Sequence, residues 1–124
     1  MSDPSPQRPP VVAVIDDDED MRTALDGLLK SLGYASRVFP TADAFLAAGL
    51  CDAVNCVISD VQMPGTSGLQ LAREMQRAGT PVILITAFPT PLLERQAQAA
   101  RVRKLLIKPF DSHELIEMLE TILG

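Results

Sequence analysis

The chain has 124 residues, 47% of them hydrophobic, enough for one domain with a true apolar core and no need of disulfide or metal staples. Its formal net charge of −5 speaks against a surface that grips a phosphate backbone unaided, so direct nucleic-acid binding by this domain is not expected. Cys51 and Cys56 are spaced as neither a metal knuckle nor a redox pair and have no Cys/His cluster around them, so they read as core or loop thiols.

The first ten residues, 1–10, hold four of the ten prolines and read as a loose, disordered tail, leaving 11–124 as the folded domain. The tail lacks the apolar stretch of a secretory leader, and no later run approaches the roughly 18 apolar residues of a membrane span. A cytoplasmic protein without membrane contact is expected.

The folded part opens on Val11-Val12-Ala13-Val14-Ile15, a buried-strand pattern that ends at Asp16 and Asp17. Met21, Leu25, Leu28, Leu29 and Leu32 then fall on one helix face, and Gly33 stands where a left-handed cap would stop that helix. A weak strand, Ala35 to Phe39, precedes a short helix carrying Phe45 and Leu46 that Thr41 can cap. The run Val54 to Ser59 delivers Asp60 into the turn Val61-Gln62-Met63-Pro64-Gly65. A helix with Leu69, Ala72 and Met75 inward follows and ends at Gly79; Pro81 opens the strand Val82 to Ile85, which ends at Thr86. A less regular helix is predicted over 92–100, then the strand Leu105-Leu106-Ile107 ending at Lys108. Asp111 and Glu114 form a D-x-x-E variant of the capping box before Leu115, Met118, Leu119 and Ile122 on one helix face.

Short apolar runs alternating with helices predict an α/β fold, a doubly wound five-stranded parallel sheet covered on both faces. Right-handed crossovers favour the (βα)5 flavodoxin-like strand order 2-1-3-4-5. In such sheets ligands bind beyond the carboxyl ends of the strands, at the switch point between the first and third. Asp16, Asp17, Asp60, Thr86 and Lys108 all lie at those ends.

Gathered carboxylates repel, by up to about 4 kcal/mol per pair at ~4 Å and an effective dielectric near 20. They call for a cation. An all-oxygen cluster suits a hard divalent ion such as Mg²⁺ that keeps waters and awaits a phosphoryl oxygen. Lys108 adds a second positive charge, and the Thr86 hydroxyl can donate to an anion. With Asp16 and Asp17 placed to hold the metal, Asp60, alone on its strand, is the candidate nucleophile toward phosphorus. Asp18, Glu19 and Asp20 read as a solvated helix start.

The ordered set Val14-Ile15-Asp16-Asp17-Asp18, Asp60-Val61-Gln62-Met63-Pro64-Gly65-Thr66-Ser67-Gly68, Ile85-Thr86-Ala87 and Lys108-Pro109-Phe110 resembles the receiver domains of two-component response regulators, the CheY-like superfamily, over about 11–123. Ala42 to Ala47 and Lys108 to Asp111 are worded most like the nitrogen-fixation (FixJ) branch. The resemblance implies a phosphoprotein of phosphorelay signalling that is no enzyme beyond its own phosphorylation and dephosphorylation. Asp60 would accept a phosphoryl group from a sensor histidine kinase or phosphotransfer protein, switching a protein-interaction surface. Asp16, Asp17, Asp60 and the backbone carbonyl of Gln62 would bind Mg²⁺. Thr86 and Lys108 would contact the phosphoryl oxygens, with a cis bond between Lys108 and Pro109. His113 reads as a surface residue, so the phosphodonor is another protein. A homodimer is a further expectation, and the chain is either a stand-alone receiver or the front of a longer regulator.

Three segments depart from the family pattern. Leu105 replaces the usual Tyr or Phe that moves with the threonine, and Arg101 replaces a glycine within the basic run Arg101-Val102-Arg103-Lys104, which is either a solvated turn or a docking surface for an acidic partner or second protomer. Pro89 and Pro91 follow Thr86, predicting a stiffened loop and a shortened or displaced fourth helix. Phe88 is expected to screen the acyl phosphate from water. Two rival functions remain open at this point. In a haloacid-dehalogenase-type phosphatase Asp16 would be the nucleophile and Asp18 the acid, and in a pseudo-receiver the fold would serve as a binding module without phosphorylation.

Overall fold

The computed structural model describes residues 8–124; most of the predicted tail lies outside the described residues. Strands and helices alternate as β1 (Val11–Ile15), α1 (Glu19–Ser31), β2 (Ala35–Phe39), α2 (Ala42–Ala47), β3 (Cys56–Asp60), α3 (Gly68–Ala78), β4 (Val82–Thr86), α4 (Pro91–Ala99), β5 (Lys104–Ile107) and α5 (Ser112–Leu123). The five strands form one parallel sheet in the order β2-β1-β3-β4-β5, as the run pattern predicts.

Alternation along each strand sends side chains to two cores. On one face Val12, Val14, Cys56, Ile58, Ile83, Ile85 and Leu106 pack against Leu25 and Leu29 of α1 and Leu115 and Leu119 of α5. On the other, Ala13, Ile15, Val57 and Leu84 meet Phe45 of α2, Leu71 and Met75 of α3, and Leu93 and Ala97 of α4. Every residue of β3 and β4 is buried, which is why those runs show no polar alternation. Edge strand β2 is only partly buried, and its Phe39 stacks edge-on against Phe45 at 5.3 Å. Cys56 lies in the core, where burial pushes its thiol up to about 12; Cys51 is half-buried.

Helix ends follow local chemistry. Thr41 accepts from the Ala44 N–H, Gly33 is left-handed just beyond α1 and Gly79 caps α3 in the same conformation. Two expectations need correction. The fourth helix is regular and begins at Pro91, one residue before the predicted start, with Thr90 as its cap. At the first helical position proline's missing N–H is no loss and its fixed φ is an asset, so Pro91 starts the helix. At nine residues α4 is nonetheless shorter than α1, α3 and α5. The second correction concerns α5: Asp111 caps it through the His113 N–H, but Glu114 does not close the box and lies 3.8 Å from Lys104 instead. A complete capping box stands at α3, where Ser67 and Gln70 bond reciprocally at 3.1 and 2.9 Å.

Candidate phosphoryl site

Parallel register sets the site. Ile15 pairs with Ser59, Asp60 with Ile85 and Thr86 with Ile107, so Asp16, Asp60, Thr86 and Lys108 emerge together at the carboxyl end of the sheet. Gly68, at the start of α3, packs onto the Asp60 backbone so tightly that a Cβ would overlap its carbonyl oxygen. That contact holds the β3–α3 turn against the strand end.

Asp16, Asp17 and Asp60 each offer a carboxylate oxygen within 4.8 Å of the others. Asp16 and Asp60 are buried and Asp17 is exposed. The Lys108 ammonium donates to Asp60 Oδ2 at 3.1 Å and lies 3.5 Å from Asp16 Oδ2. The second contact is an ion pair too long for a hydrogen bond, and buried Asp16 Oδ2 has no hydrogen-bond partner among the described residues. Asp16 Oδ1 accepts from the Asp18 N–H at 2.9 Å, and the Asp16 carbonyl accepts from Arg22 Nη1 at 2.7 Å. Asp60 Oδ1 accepts from the Gln62 N–H at 3.2 Å.

Burial pushes the Asp16 carboxyl above its ordinary value and the charge of Asp60 adds to that, against the opposing pull of the Asp18 N–H and Lys108. Burial alone would lower the Lys108 ammonium. Its hydrogen bond to Asp60 and the charges of Asp16 and Asp60 outweigh that penalty and hold it above the ordinary lysine value.

One ammonium facing three carboxylates leaves the pocket acidic, and a buried carboxylate oxygen without a donor is costly unless a cation meets it. The donor set is all oxygen, with no Cys or His in it. The pocket therefore fits a hard divalent metal ion.

Each of the five side chains singled out from sequence lies at this end of the sheet, although the Thr86 hydroxyl is engaged elsewhere. It donates to Gln62 Oε1 at 3.1 Å and accepts from the Phe88 N–H at 3.0 Å. Sequence reasoning gave Gln62 only its backbone carbonyl and missed the side chain, whose partner lies 24 residues away. The Lys108–Pro109 bond is cis. Asp18 caps α1 by accepting from the Asp20 N–H at 3.0 Å, a role unlike the proton donor of a phosphatase. Glu19 and Asp20 occupy the exposed first turn, and His113 is exposed.

Phe88, two residues past Thr86, is 69% exposed, and Leu92, the second residue of α4, is 56% exposed. Leu105 is half-buried against the core. Arg101 adopts φ +59°, a left-handed conformation that favours glycine. Its N–H donates to the Gln98 carbonyl and that of Val102 to the Ala97 carbonyl, both at 3.0 Å, closing a Schellman-type helix end. No helix among the described residues is long and apolar enough to cross a membrane.

Comparison with known proteins agrees with this geometry. Residues 12–120 match the family model described as the response regulator receiver domain. The transcriptional regulatory protein FixJ of Bradyrhizobium diazoefficiens is 37% identical over 112 residues, covering 89% of this chain and 55% of that protein. FixJ of Azorhizobium caulinodans is 38% identical over 115 residues, covering 91% and 54%. The chain thus spans about half the length of the curated relatives it matches. The crystal structure of FixJ-N superposes with a TM-score of 0.78 at 29% identity, covering 92% of this chain and 93% of that one. Sheet order, strand-end acidic cluster and family match converge, and the chain belongs to the response regulator receiver domains of two-component signalling.

Proposed function

We propose that Asp60 is the residue that takes the phosphoryl group, donated by a sensor histidine kinase or phosphotransfer protein in the cytoplasm. The reading rests on one observation above the rest: the Asp60 carboxylate meets the Lys108 ammonium at 3.1 Å and shares one cluster with the acidic pair Asp16 and Asp17. Asp60 offers an oxygen to phosphorus from a rigid strand end, and Gly68 packing limits the freedom of its backbone. Lys108, already oriented by Asp60 and Asp16, turns to the incoming phosphoryl oxygens. Thr86 supplies its hydroxyl to another. Phosphoryl transfer demands mainly such positioning and charge neutralisation.

Asp16, Asp17, Asp60 and the Gln62 backbone carbonyl would hold Mg²⁺, and Asp16 Oδ2, buried and without a hydrogen bond among the described residues, would be one of its ligands. When bound, the ion supplies the positive charge that lets carboxylates and phosphate share the pocket. The only chemistry the protein itself carries out would be its own phosphorylation and the hydrolysis of the acyl phosphate to inorganic phosphate, with 11–124 as the acting unit and 1–10 as a tail outside it. The surface formed by α4 and β5, with Arg95, Arg103 and Lys104 beside Glu94 and Leu105, is where a protein partner or second copy of mixed charge would dock in response.

The test is labelling with acetyl phosphate, or shielding with beryllofluoride, with and without Mg²⁺, followed by peptide mapping. Mg²⁺-dependent modification at Asp60 that disappears in Asp60→Asn is expected. Modification at Asp16 would instead assign the phosphatase chemistry, and no Mg²⁺-dependent response would leave a binding module without phosphorylation.

A further inference from the structure

The Thr86 side chain is fully buried and its hydroxyl has a single proton. That proton goes to Gln62 Oε1, 3.1 Å away across the gap between the β3–α3 and β4–α4 turns. The Phe88 N–H fixes the same oxygen from the other side at 3.0 Å. Thr86 therefore cannot donate to a phosphoryl oxygen on Asp60 until it releases Gln62. Gln62 also touches the acceptor itself, since its N–H donates to Asp60 Oδ1. One residue thus contacts Asp60 through its backbone and restrains Thr86 through its side chain.

We propose that the Gln62 carboxamide is a positioning residue, a latch that holds Thr86 in its resting rotamer until a phosphoryl group on Asp60 outcompetes it. The inference rests on Asp60 being the phosphoacceptor. Phosphorylation exchanges a neutral hydrogen bond for a charge-assisted one of roughly twice the strength, so the exchange runs downhill. The released carboxamide is at the protein surface, where Gln62 is already exposed, and water can satisfy it. Leu105, with neither ring nor hydroxyl, offers Thr86 no polar partner. The latch therefore places the resting-state restraint on the turn that carries the acceptor.

Its strength is that of one surface-facing hydrogen bond, corresponding to about fivefold in an equilibrium. Gln62→Met keeps the length of the side chain and removes the acceptor; Gln62→Glu keeps an acceptor at the same reach. In metal-free protein, side-chain NMR couplings of Thr86 are expected to report one rotamer in wild type and in Gln62→Glu and averaging in Gln62→Met. With Mg²⁺, the beryllofluoride midpoint of Gln62→Met is expected about fivefold below wild type. In a Thr86→Ala background the same substitution is expected to leave the midpoint unchanged, because no hydroxyl remains to be latched. A single Thr86 rotamer in Gln62→Met overturns the proposal, as does a midpoint shift of equal size with and without the Thr86 hydroxyl. A wild-type protein with no beryllofluoride response overturns the phosphoacceptor reading and the latch with it. A response whose midpoint ignores Gln62 overturns the latch alone.

Discussion

Asp43 of α2 clasps Thr66 of the β3–α3 turn twice, its Oδ1 accepting the hydroxyl at 2.6 Å and its Oδ2 the backbone N–H at 3.2 Å. Gly65, at φ +76°, makes room: a Cβ there would overlap Asp43 Oδ2. The two bonds, hydroxyl first and then backbone N–H, hold the Asp43 carboxyl below its ordinary range. A carboxyl whose folded pKa is depressed adds stability above its unfolded value, and loses it as pH falls through the folded one. The stability gap between wild type and Asp43→Ala should therefore be constant near neutrality and close below about pH 4. Urea unfolding across that range measures the gap. Thr66 amide exchange should rise about tenfold in the variant as the turn loses its clasp. A gap that persists into acid would show that the clasp does not depend on the charge.

Gly68 bears on Asp60 more directly, because a Cβ at this position would run into the Asp60 carbonyl and the Val61 α-carbon. The obstacle to any side chain is backbone, which cannot swing aside as a flexible side chain would. Gly68→Ala is expected to cost about 1–3 kcal/mol by overpacking and to shift the turn carrying Gln62. Weakened Mg²⁺ binding should accompany the lower urea midpoint. Unchanged metal affinity in a destabilised protein would separate the packing of α3 from the geometry of the pocket.

Arg101 occupies a left-handed position, φ +59°, at the end of α4. An L-residue with a Cβ pays about 1–2 kcal/mol there, part of which glycine's greater unfolded-state freedom offsets. Arg101→Gly should raise stability by about 0.5–1 kcal/mol, with the helix end unchanged. The exposed guanidinium stands near the C-terminal end of α4, where a cation complements the helix dipole. A destabilised glycine variant would show that this charge outweighs the backbone strain.

The architecture was legible because its signals are local. Uninterrupted apolar runs such as Val82 to Ile85 mark buried strands, and the spacing of Leu25, Leu28, Leu29 and Leu32 marks a helix face. Once parallel order is assumed, residues that end strands must share an edge, which brings Asp16, Asp60, Thr86 and Lys108 together from sequence alone. What escaped were pairings between distant turns. Nothing beside Asp43 announces Thr66, and nothing beside Gln62 announces Thr86, since a hydrogen bond across more than twenty residues leaves no periodic trace. Pro91 is ambiguous in sequence for another reason: proline breaks a helix interior and begins a helix well, and only the cap at Thr90 distinguishes the two. Glu114 likewise had a local partner available and took Lys104 instead.

Phe88 combines an exposed ring with a backbone N–H anchored to Thr86 Oγ1 at 3.0 Å. An apolar ring at 69% exposure gains little from burial where it stands, while the backbone bond ties its residue to Thr86. If Asp60 is the phosphoacceptor, as we propose, the ring two residues past Thr86 is expected to screen its acyl phosphate from attacking water. Phe88→Ala is expected to speed self-dephosphorylation about fivefold, equivalent to ~1 kcal/mol of barrier, with folding stability within about 0.5 kcal/mol of wild type. The decay of phosphorylated protein after removal of the donor measures it, and an unchanged rate would end the idea that the ring screens the phosphate. Because alanine retains the backbone N–H, the bond to Thr86 survives the substitution. Faster hydrolysis with an unaltered Thr86 rotamer would therefore assign the effect to the ring.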